Sequence, residues 1–144
     1  MLLILLVGLA AQEAAQLPDD PSSLLGLGLS EVVGSRGLPA RLAVARGPEP
    51  WQDDVVFEYS DGFSFYWSGD RVWQVRFGPA YKASVFGVFI GDETDKMLSL
   101  LGQPWKTLSG ALVWRLPWKG YPVELRVLVE GTRAAGMAVL RTDF

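Results

Sequence analysis

The sequence predicts an α+β fold made of two tandem units, each a short helix followed by an antiparallel meander of strands. A glycine–glycine–proline pattern supports this, because Gly26, Gly37 and Pro39 recur 65 positions later as Gly91, Gly102 and Pro104. An apolar pair lies between the glycines of each copy, Val32-Val33 in the first and Met97-Leu98 in the second. Segments that alternate apolar and polar residues then follow each copy. We therefore assign residues 24–80 and 81–144 to the two units.

The two helices are expected to end in the same way but to differ in strength. Ser30 is the expected cap of the first helix, and Gly34 lowers its stability by about 1 kcal/mol relative to alanine. The second helix is expected to begin at Asp92 and Asp95, a spacing typical of a capping box. Its apolar stripe is Met97, Leu98, Leu100 and Leu101. A glycine and a proline two residues later end each helix.

The strands are predicted from period-2 alternation between turns rich in glycine and aspartate. In the first unit the runs cover residues 55–59, 63–67 and 73–77, and in the second they cover 112–116, 121–129 and 137–141. The large side chains of the first unit fall in one phase and are expected to cover a helix. They are Phe57, Phe63, Phe65, Trp67, Trp73, Val75 and Phe77.

The N-terminal segment Leu2–Ala11 is apolar or small throughout and has the length of a signal-peptide core, which is too short to span a membrane. No lysine or arginine precedes it, which departs from the usual leader pattern. The alternative is an ordinary buried segment. We expect residues 1–15 to be a signal peptide, residues 16–23 to form a tail, and the mature chain to be periplasmic or secreted without a membrane span.

Composition excludes several kinds of chemistry. The chain of 144 residues has no cysteine and no histidine, so it has no thiolate nucleophile, no disulfide and no imidazole base. Its net charge is -3 and no lysine–arginine run is present, which argues against a nucleic-acid partner. The carboxylate clusters, Asp53-Asp54 and Asp92-Glu93-Asp95, are poor catalytic pairs or helix caps. We therefore expect no enzymatic activity, no metal and no cofactor.

The helix stop Leu101-Gly102-Gln103-Pro104, followed by a meander, resembles the SmpA/BamE outer-membrane assembly family. Two such units in tandem are similar to the beta-lactamase inhibitor protein (BLIP) family. The resemblance covers roughly residues 24–144. It implies one antiparallel sheet, continuous or nearly so, with both helices on one face and a protein partner on the other. The chain lacks the cysteines of both families, and the shared residues are structural, so no binding residue carries over.

The residues out of phase with the large aromatic side chains define the candidate binding face. Six of them lie on predicted strands and one, Trp118, lies at a hairpin tip. The candidate binding residues are Glu58, Tyr66, Gln74, Arg76, Arg115, Trp118 and Arg126. A face that mixes tyrosine, tryptophan and arginine with few lysines is typical of protein-binding patches.

These observations predict an exported, non-enzymatic module that binds a protein of the cell envelope or outside it through this face. The alternative for the face is a solvated surface without a partner. The alternative function is a carrier that holds an apolar ligand or lipid between the sheet and the helices.

Overall fold

The structure, a computed structural model, describes residues 17–143. The predicted signal peptide therefore lies outside the described residues. Short 3-10 helices cover Pro21–Leu24 and Pro50–Gln52. The first half of the described chain contains α1 (Leu29–Arg36), β1 (Arg41–Ala45), β2 (Asp54–Glu58), β3 (Phe63–Ser68) and β4 (Arg71–Phe77). The second half contains α2 (Thr94–Leu101), β5 (Lys106–Leu108), β6 (Ala111–Arg115), β7 (Val123–Glu130) and β8 (Arg133–Arg141).

The strands of residues 17–143 form one antiparallel sheet of eight strands in the order β1-β2-β3-β4-β8-β7-β6-β5. Each half is a four-stranded meander, and the halves join where β4 pairs with β8. In that pairing Val75 lies opposite Val139 and Phe77 lies opposite Met137. The α+β class is therefore correct, and the sheet is continuous.

Both helices lie on one face of the sheet, which we call the helix face. Val32 of α1 and Met97 of α2 are fully buried and belong to the same core cluster. The sheet contributes the large in-phase side chains to this core, including Phe63, Phe65, Phe77, Trp114 and Leu125. The opposite side of the sheet, which we call the outer face, has no helix packed on it among residues 17–143.

Two strands were missed in the sequence. Each is the first of its half and lies at an edge of the described sheet. Among the described strands β1 pairs only with β2, and β5 pairs only with β6. β5 has three residues, which is too short for alternation to be recognised. β1 alternates leucine and valine with alanine, so its two faces do not differ enough in polarity to identify a strand.

Trp73 lies on the outer face, which corrects its predicted position in the core. Between β3 and β4 the register shifts, so that Trp67 pairs with Val72 instead of Trp73. This bulge inserts one extra residue and places Val72, which is fully buried, in the core. The indole of Trp73 donates a hydrogen bond to the Asp54 carboxylate on the outer face, at 3.1 Å.

The helix starts also differ from those predicted. α1 begins at Leu29 after Gly28, and the Glu31 carboxylate accepts the Gly28 amide at 2.8 Å, so Ser30 is not the cap. α2 begins at Thr94, and Asp92 instead accepts the amide of Phe89 in the preceding turn. In both cases an acidic side chain accepts a hydrogen bond from a backbone amide that lies before the helix.

Residues 17–23 are packed against the domain, which corrects the predicted tail. The Leu17 side chain is buried in the core and Ser22 is also buried. The Asp19 carboxylate accepts hydrogen bonds from the Ser84 hydroxyl and the Gly87 amide. The prolines that suggested a linker begin or precede a 3-10 helix that Asp20 caps. The folded unit therefore extends to Leu17 at least.

Candidate binding face

Strand register places the six predicted strand residues on the outer face. Opposed residues of an antiparallel pair share a face, and each of the six is joined to the others through such pairs. Tyr66 pairs with Gln74, and Arg76 is two residues further along β4. Arg126 reaches the same face through Ala138, which pairs with Arg76. Glu58 pairs with Ser64 on β2–β3, and Arg115 pairs with Glu124 on β6–β7.

One aromatic and cationic group lies on β3 and β4. The Arg76 guanidinium lies 4.6 Å from the centre of the Tyr66 ring, and Trp73 bonds to Asp54 nearby. Burial raises the pKa of the Asp54 carboxyl, while the Trp73 hydrogen bond and the Arg76 charge lower it, and the net shift is upward. Val56 and Gln74 of the same face are buried, although no helix packs on this face within residues 17–143.

Glu124 lies near the centre of β7 and holds two cations. Its Oε2 accepts hydrogen bonds from Nε and Nη2 of Arg126, at 3.1 and 3.0 Å. Its Oε1 lies 3.4 Å from Nζ of Lys106 on β5. The Glu124 side chain is buried, whereas Arg126 and Lys106 are about one-third exposed. Because a buried carboxylate needs compensation, Arg126 and Lys106 are engaged in neutralising Glu124.

Arg115 is opposite Glu124 in the strand register but forms no ion pair with its carboxylate. Its guanidinium stacks on Trp105, 3.8 Å from the ring centre. These two residues line an open groove of about 470 Å³. The remaining lining residues come from the ends of β5 to β8 and the loop between β6 and β7, and they are Lys106, Leu116, Trp118, Pro122, Val123, Glu124 and Thr142. Trp118 is 71% exposed and Trp105 is 45% exposed. We call this the Trp105 groove.

Two predicted binding residues are less available than the sequence suggested. Gln74 is 3% exposed and forms no hydrogen bond through Nε2 within the described chain, so it lies under the outer face rather than on it. The Glu58 carboxylate is bonded to Arg41 on the neighbouring edge strand, and this hydrogen bond lowers the pKa of Glu58. The accessible residues of the predicted set are thus Tyr66, Arg76, Arg115 and Trp118.

Sequence reasoning missed Trp105, Lys106 and Trp73. Trp105 and Lys106 belong to the three-residue β5 or precede it, and their position beside Arg115 depends on β5–β6 pairing. The available signal was Pro104-Trp105-Lys106, a tryptophan next to a lysine directly after a helix stop. Trp73 was placed on the wrong face because the bulge changes the phase of the strand.

The adjacent carboxylates Asp53 and Asp54 have separate partners. Asp53 pairs with Arg46 and accepts the Gly47 amide, whereas Asp54 bonds to Trp73. Within residues 17–143 there is no cluster of three or more acidic side chains arranged to hold a metal ion. A helix of sufficient length and apolarity to cross a membrane is also not found in this part of the chain.

An apolar groove lies on the helix face at the other end of the sheet. It has a volume of about 640 Å³ between α1 and the strands β1 and β2. Its lining residues are Leu29, Ser30, Val33, Leu38, Pro39, Leu42 and Phe57. Leu38 is 80% exposed and Leu42 is 65% exposed, because the eight residues of α1 do not cover the first two strands. We call this the α1 groove.

No family model matches the sequence, and no curated protein matches it. The structure is similar to the 1.5 Å crystal structure of an extracellular protein containing a SCP domain from Bacillus anthracis str. Ames, with a TM-score of 0.59 and 9% identity. The similarity covers 92% of this chain and 49% of that chain, so this chain spans about half the length of the neighbour. At this identity the comparison supports the fold alone.

Proposed function

We propose that this protein is a non-enzymatic binding module that engages a protein partner through its outer face. The observation that carries the proposal is the group of accessible aromatic and arginine side chains on a sheet face without a helix layer: Tyr66, Arg76, Trp105, Arg115 and Trp118. Tryptophan, tyrosine and arginine are enriched among the residues that contribute most of the binding energy in protein interfaces. The two aromatic residues bury a large area at a low cost in conformational entropy.

A site-specific crosslinking experiment in the cells that encode the protein tests this proposal. A photoreactive amino acid is placed at Tyr66 or Trp118 on the outer side, and at the exposed Leu100 of α2 as the matched control on the helix face. We expect the same partner to be crosslinked from positions 66 and 118 but not from position 100. Equal crosslinking from all three positions, or crosslinking from position 100 alone, would place the interface elsewhere.

We propose that the module acts in the cell envelope or outside the cell. The apolar leader supports export, and the solved neighbour is described as extracellular. Mass spectrometry of the protein from its own cells tests this, since export predicts a mature N-terminus between residues 11 and 17 and recovery from the periplasm or the medium. An intact Met1 in the cytoplasmic fraction would contradict it.

The alternative function is a carrier for an apolar ligand or lipid, and the α1 groove favours it. The groove is lined almost entirely by leucine, valine and phenylalanine side chains and is open to solvent. A carrier should co-purify with lipid, and its melting temperature should rise when a fatty acid is added to the delipidated protein. The Leu42→Arg variant, which places a charge in the groove, should lose this rise, while Leu128→Arg on the outer face serves as control.

We also propose that the two halves are copies of one folding unit. The helix stops support this, because Gly37 has φ 75° and Gly102 has φ 74°, and their amides bond to Val33 and Leu98, again 65 positions apart. The residue before each helix also bridges to the first residue of a fourth strand, Gly28 to Arg71 and Glu93 to Arg133.

We also propose that the chain is related to the SmpA/BamE and BLIP families. The support for this relationship is the pair of helix stops. A Cβ at Gly37 or at Gly102 would meet no atom within 4 Å, so only the backbone conformation opposes alanine at either position. Copies of one unit predict that Gly37→Ala and Gly102→Ala cost the same free energy of unfolding, about 2 kcal/mol each, because both glycines combine a positive φ with ψ near 180°. A large difference between the two variants in the free energy of unfolding, measured by urea titration, would contradict the duplication.

A further inference from the structure

The arginines of the described chain differ in whether they form an ion pair with a carboxylate. Six arginines of the described chain form ion pairs with carboxylates: Arg41, Arg46, Arg71, Arg126, Arg133 and Arg141. Arg76 and Arg115 form no ion pair within residues 17–143, and each lies over an aromatic ring, Tyr66 and Trp105 respectively. Both are exposed and both belong to the outer face.

Two carboxylates near these arginines already have other partners. Glu124, the register partner of Arg115, accepts both of its hydrogen bonds from Arg126 and contacts Lys106. Asp54, which interacts electrostatically with Arg76, accepts the hydrogen bond of the Trp73 indole. Within residues 17–143 the two guanidinium groups therefore have no carboxylate to bind, although the full sequence has more acidic than basic residues and a net charge of -3.

Arg76 and Arg115 donate no hydrogen bond within residues 17–143, so the N–H groups of both guanidinium groups are available. A guanidinium that lies flat on an aromatic ring uses its face for the contact and keeps its N–H groups directed outward in the plane. That edge matches the two oxygens of a carboxylate, which it binds through two parallel hydrogen bonds. The ring also holds the side chain in place, which reduces the entropy lost on binding.

Charge on the rest of the outer face agrees with this. Its cationic side chains outnumber its carboxylates by five to four, Arg41, Arg76, Lys106, Arg115 and Arg126 against Asp54, Glu58, Glu124 and Glu130. Arg133, which is opposite Glu130, is not counted because it bonds to the Gly91 carbonyl and to Glu93. Arg71 is not among them, because it reaches the Gly26 carbonyl on the helix side. The outer face is thus positive on a negatively charged chain, which favours the approach of an acidic surface.

We infer that Arg76 and Arg115 are the anchor points for aspartate or glutamate side chains of an acidic protein partner. This inference rests on the proposed function. Side-chain carboxylates are the occupant rather than a chain terminus, because the donors are two separate arginine side chains on a broad face. At Arg115 the exposed Trp118 and Trp105 flank the site, so an apolar residue beside the acidic one adds contact area.

A peptide titration followed by NMR tests the inference directly. The probe is acetyl-Leu-Glu-Leu-amide, and the signals are the Nε–H groups of the arginines and the indole N–H of Trp105 in the ¹⁵N-labelled protein. We expect the Arg76, Arg115 and Trp105 signals to shift with a dissociation constant in the millimolar range, while Arg41, which is already paired with Glu58, does not respond.

Matched peptides and variants identify the chemistry. Acetyl-Leu-Gln-Leu-amide should bind about tenfold more weakly because it lacks the charge. Arg115→Gln should abolish the Trp105 response and leave that of Arg76, and Arg41→Gln should leave both. Equal binding of the glutamine peptide, shifts that survive Arg115→Gln, or tighter binding of acetyl-Leu-Gln-Leu with a free terminal carboxylate would each overturn the inference.

A second measurement separates this inference from the proposed function. Crosslinking from positions 66 and 118 is repeated in the Arg76→Gln/Arg115→Gln double variant, whose folding is checked by its NMR spectrum. The inference predicts that the partner is lost. A partner that remains would show that the outer face binds without these anchors, so that the function stands and the inference fails. If no crosslink forms from position 66 or position 118 in the protein that keeps both arginines, the proposed function itself is contradicted.

Discussion

Arg126 donates two hydrogen bonds to one oxygen of Glu124, from Nε at 3.1 Å and from Nη2 at 3.0 Å. The Glu124 side chain is 7% exposed, so removing Arg126 leaves a buried carboxylate whose remaining ion pair within residues 17–143 is with Lys106. We expect Arg126→Leu to lower the free energy of unfolding by about 2 kcal/mol, measured by urea denaturation.

Arg41→Leu is the matched control on the same face, because the Arg41–Glu58 pair is exposed and contributes little. If Arg41→Leu lost as much free energy of unfolding as Arg126→Leu, the burial of Glu124 would not explain the destabilisation. The Glu124→Gln variant should also be less affected by loss of Arg126, since it has no charge to neutralise.

The Asp54 carboxyl should give the protein a pH dependence of stability that opposes the usual one. Its pKa is raised chiefly by burial, so the native state keeps its proton to a higher pH than the unfolded state does. As pH rises from the ordinary carboxyl range through the raised pKa, ionisation favours the unfolded state and stability falls. We expect Asp54→Asn to gain stability relative to the wild type across this window and to keep that gain above it.

Asp143 provides a contrast of opposite sign. The hydrogen bond from Arg141 lowers the pKa of Asp143, so its contribution is present above the ordinary carboxyl value and is lost as pH falls through the lowered pKa. Thermal melts of Asp54→Asn and Asp143→Asn against pH should therefore diverge from the wild type in opposite directions. The same direction for both variants would contradict the burial of Asp54.

Gly62 should be much less tolerant of substitution than Gly69, although both lie in hairpin turns with positive φ. A Cβ at Gly62, where φ is 90°, would lie 2.4 Å from the backbone nitrogen of Tyr81. At Gly69, where φ is 59°, a Cβ would meet no atom within 4 Å. We expect Gly69→Ala to cost about 1 kcal/mol and Gly62→Ala several times more, because the connection after β4 must move. Urea midpoints of the two variants check this.

The hydroxyl of Tyr81 should be dispensable for stability. It is buried without a hydrogen-bond partner within the described chain, and burial raises its pKa. Removing an unsatisfied buried oxygen recovers its desolvation cost, so Tyr81→Phe should be neutral or stabilising by up to about 1 kcal/mol. Tyr59→Phe, which loses a 3.1 Å hydrogen bond to the Gly37 carbonyl, should be destabilising. A destabilised Tyr81→Phe would indicate that a bound water satisfies the hydroxyl.

Alternation along each strand was enough to predict much of the candidate site. The side chains of Tyr66, Arg76, Arg115 and Arg126 point to the face that their sequence phase predicts. Alternation predicted the wrong face for Trp73. The bulge adds a residue to one strand only, and no local sequence pattern indicates it. The burial of Gln74 was not predicted, because the phase of a residue gives its face of the sheet and not its depth below neighbouring side chains.

The sequence by itself determined the fold class, the two helix stops and the side of the sheet to which most strand residues belong. These depend on turn residues and on a period of two, which act over a few residues. Only the tertiary structure decided that β4 pairs with β8 and that β5 brings Trp105 beneath Arg115. Such contacts join residues distant in the chain or strands too short to carry a pattern, and packing of the shared core selects them.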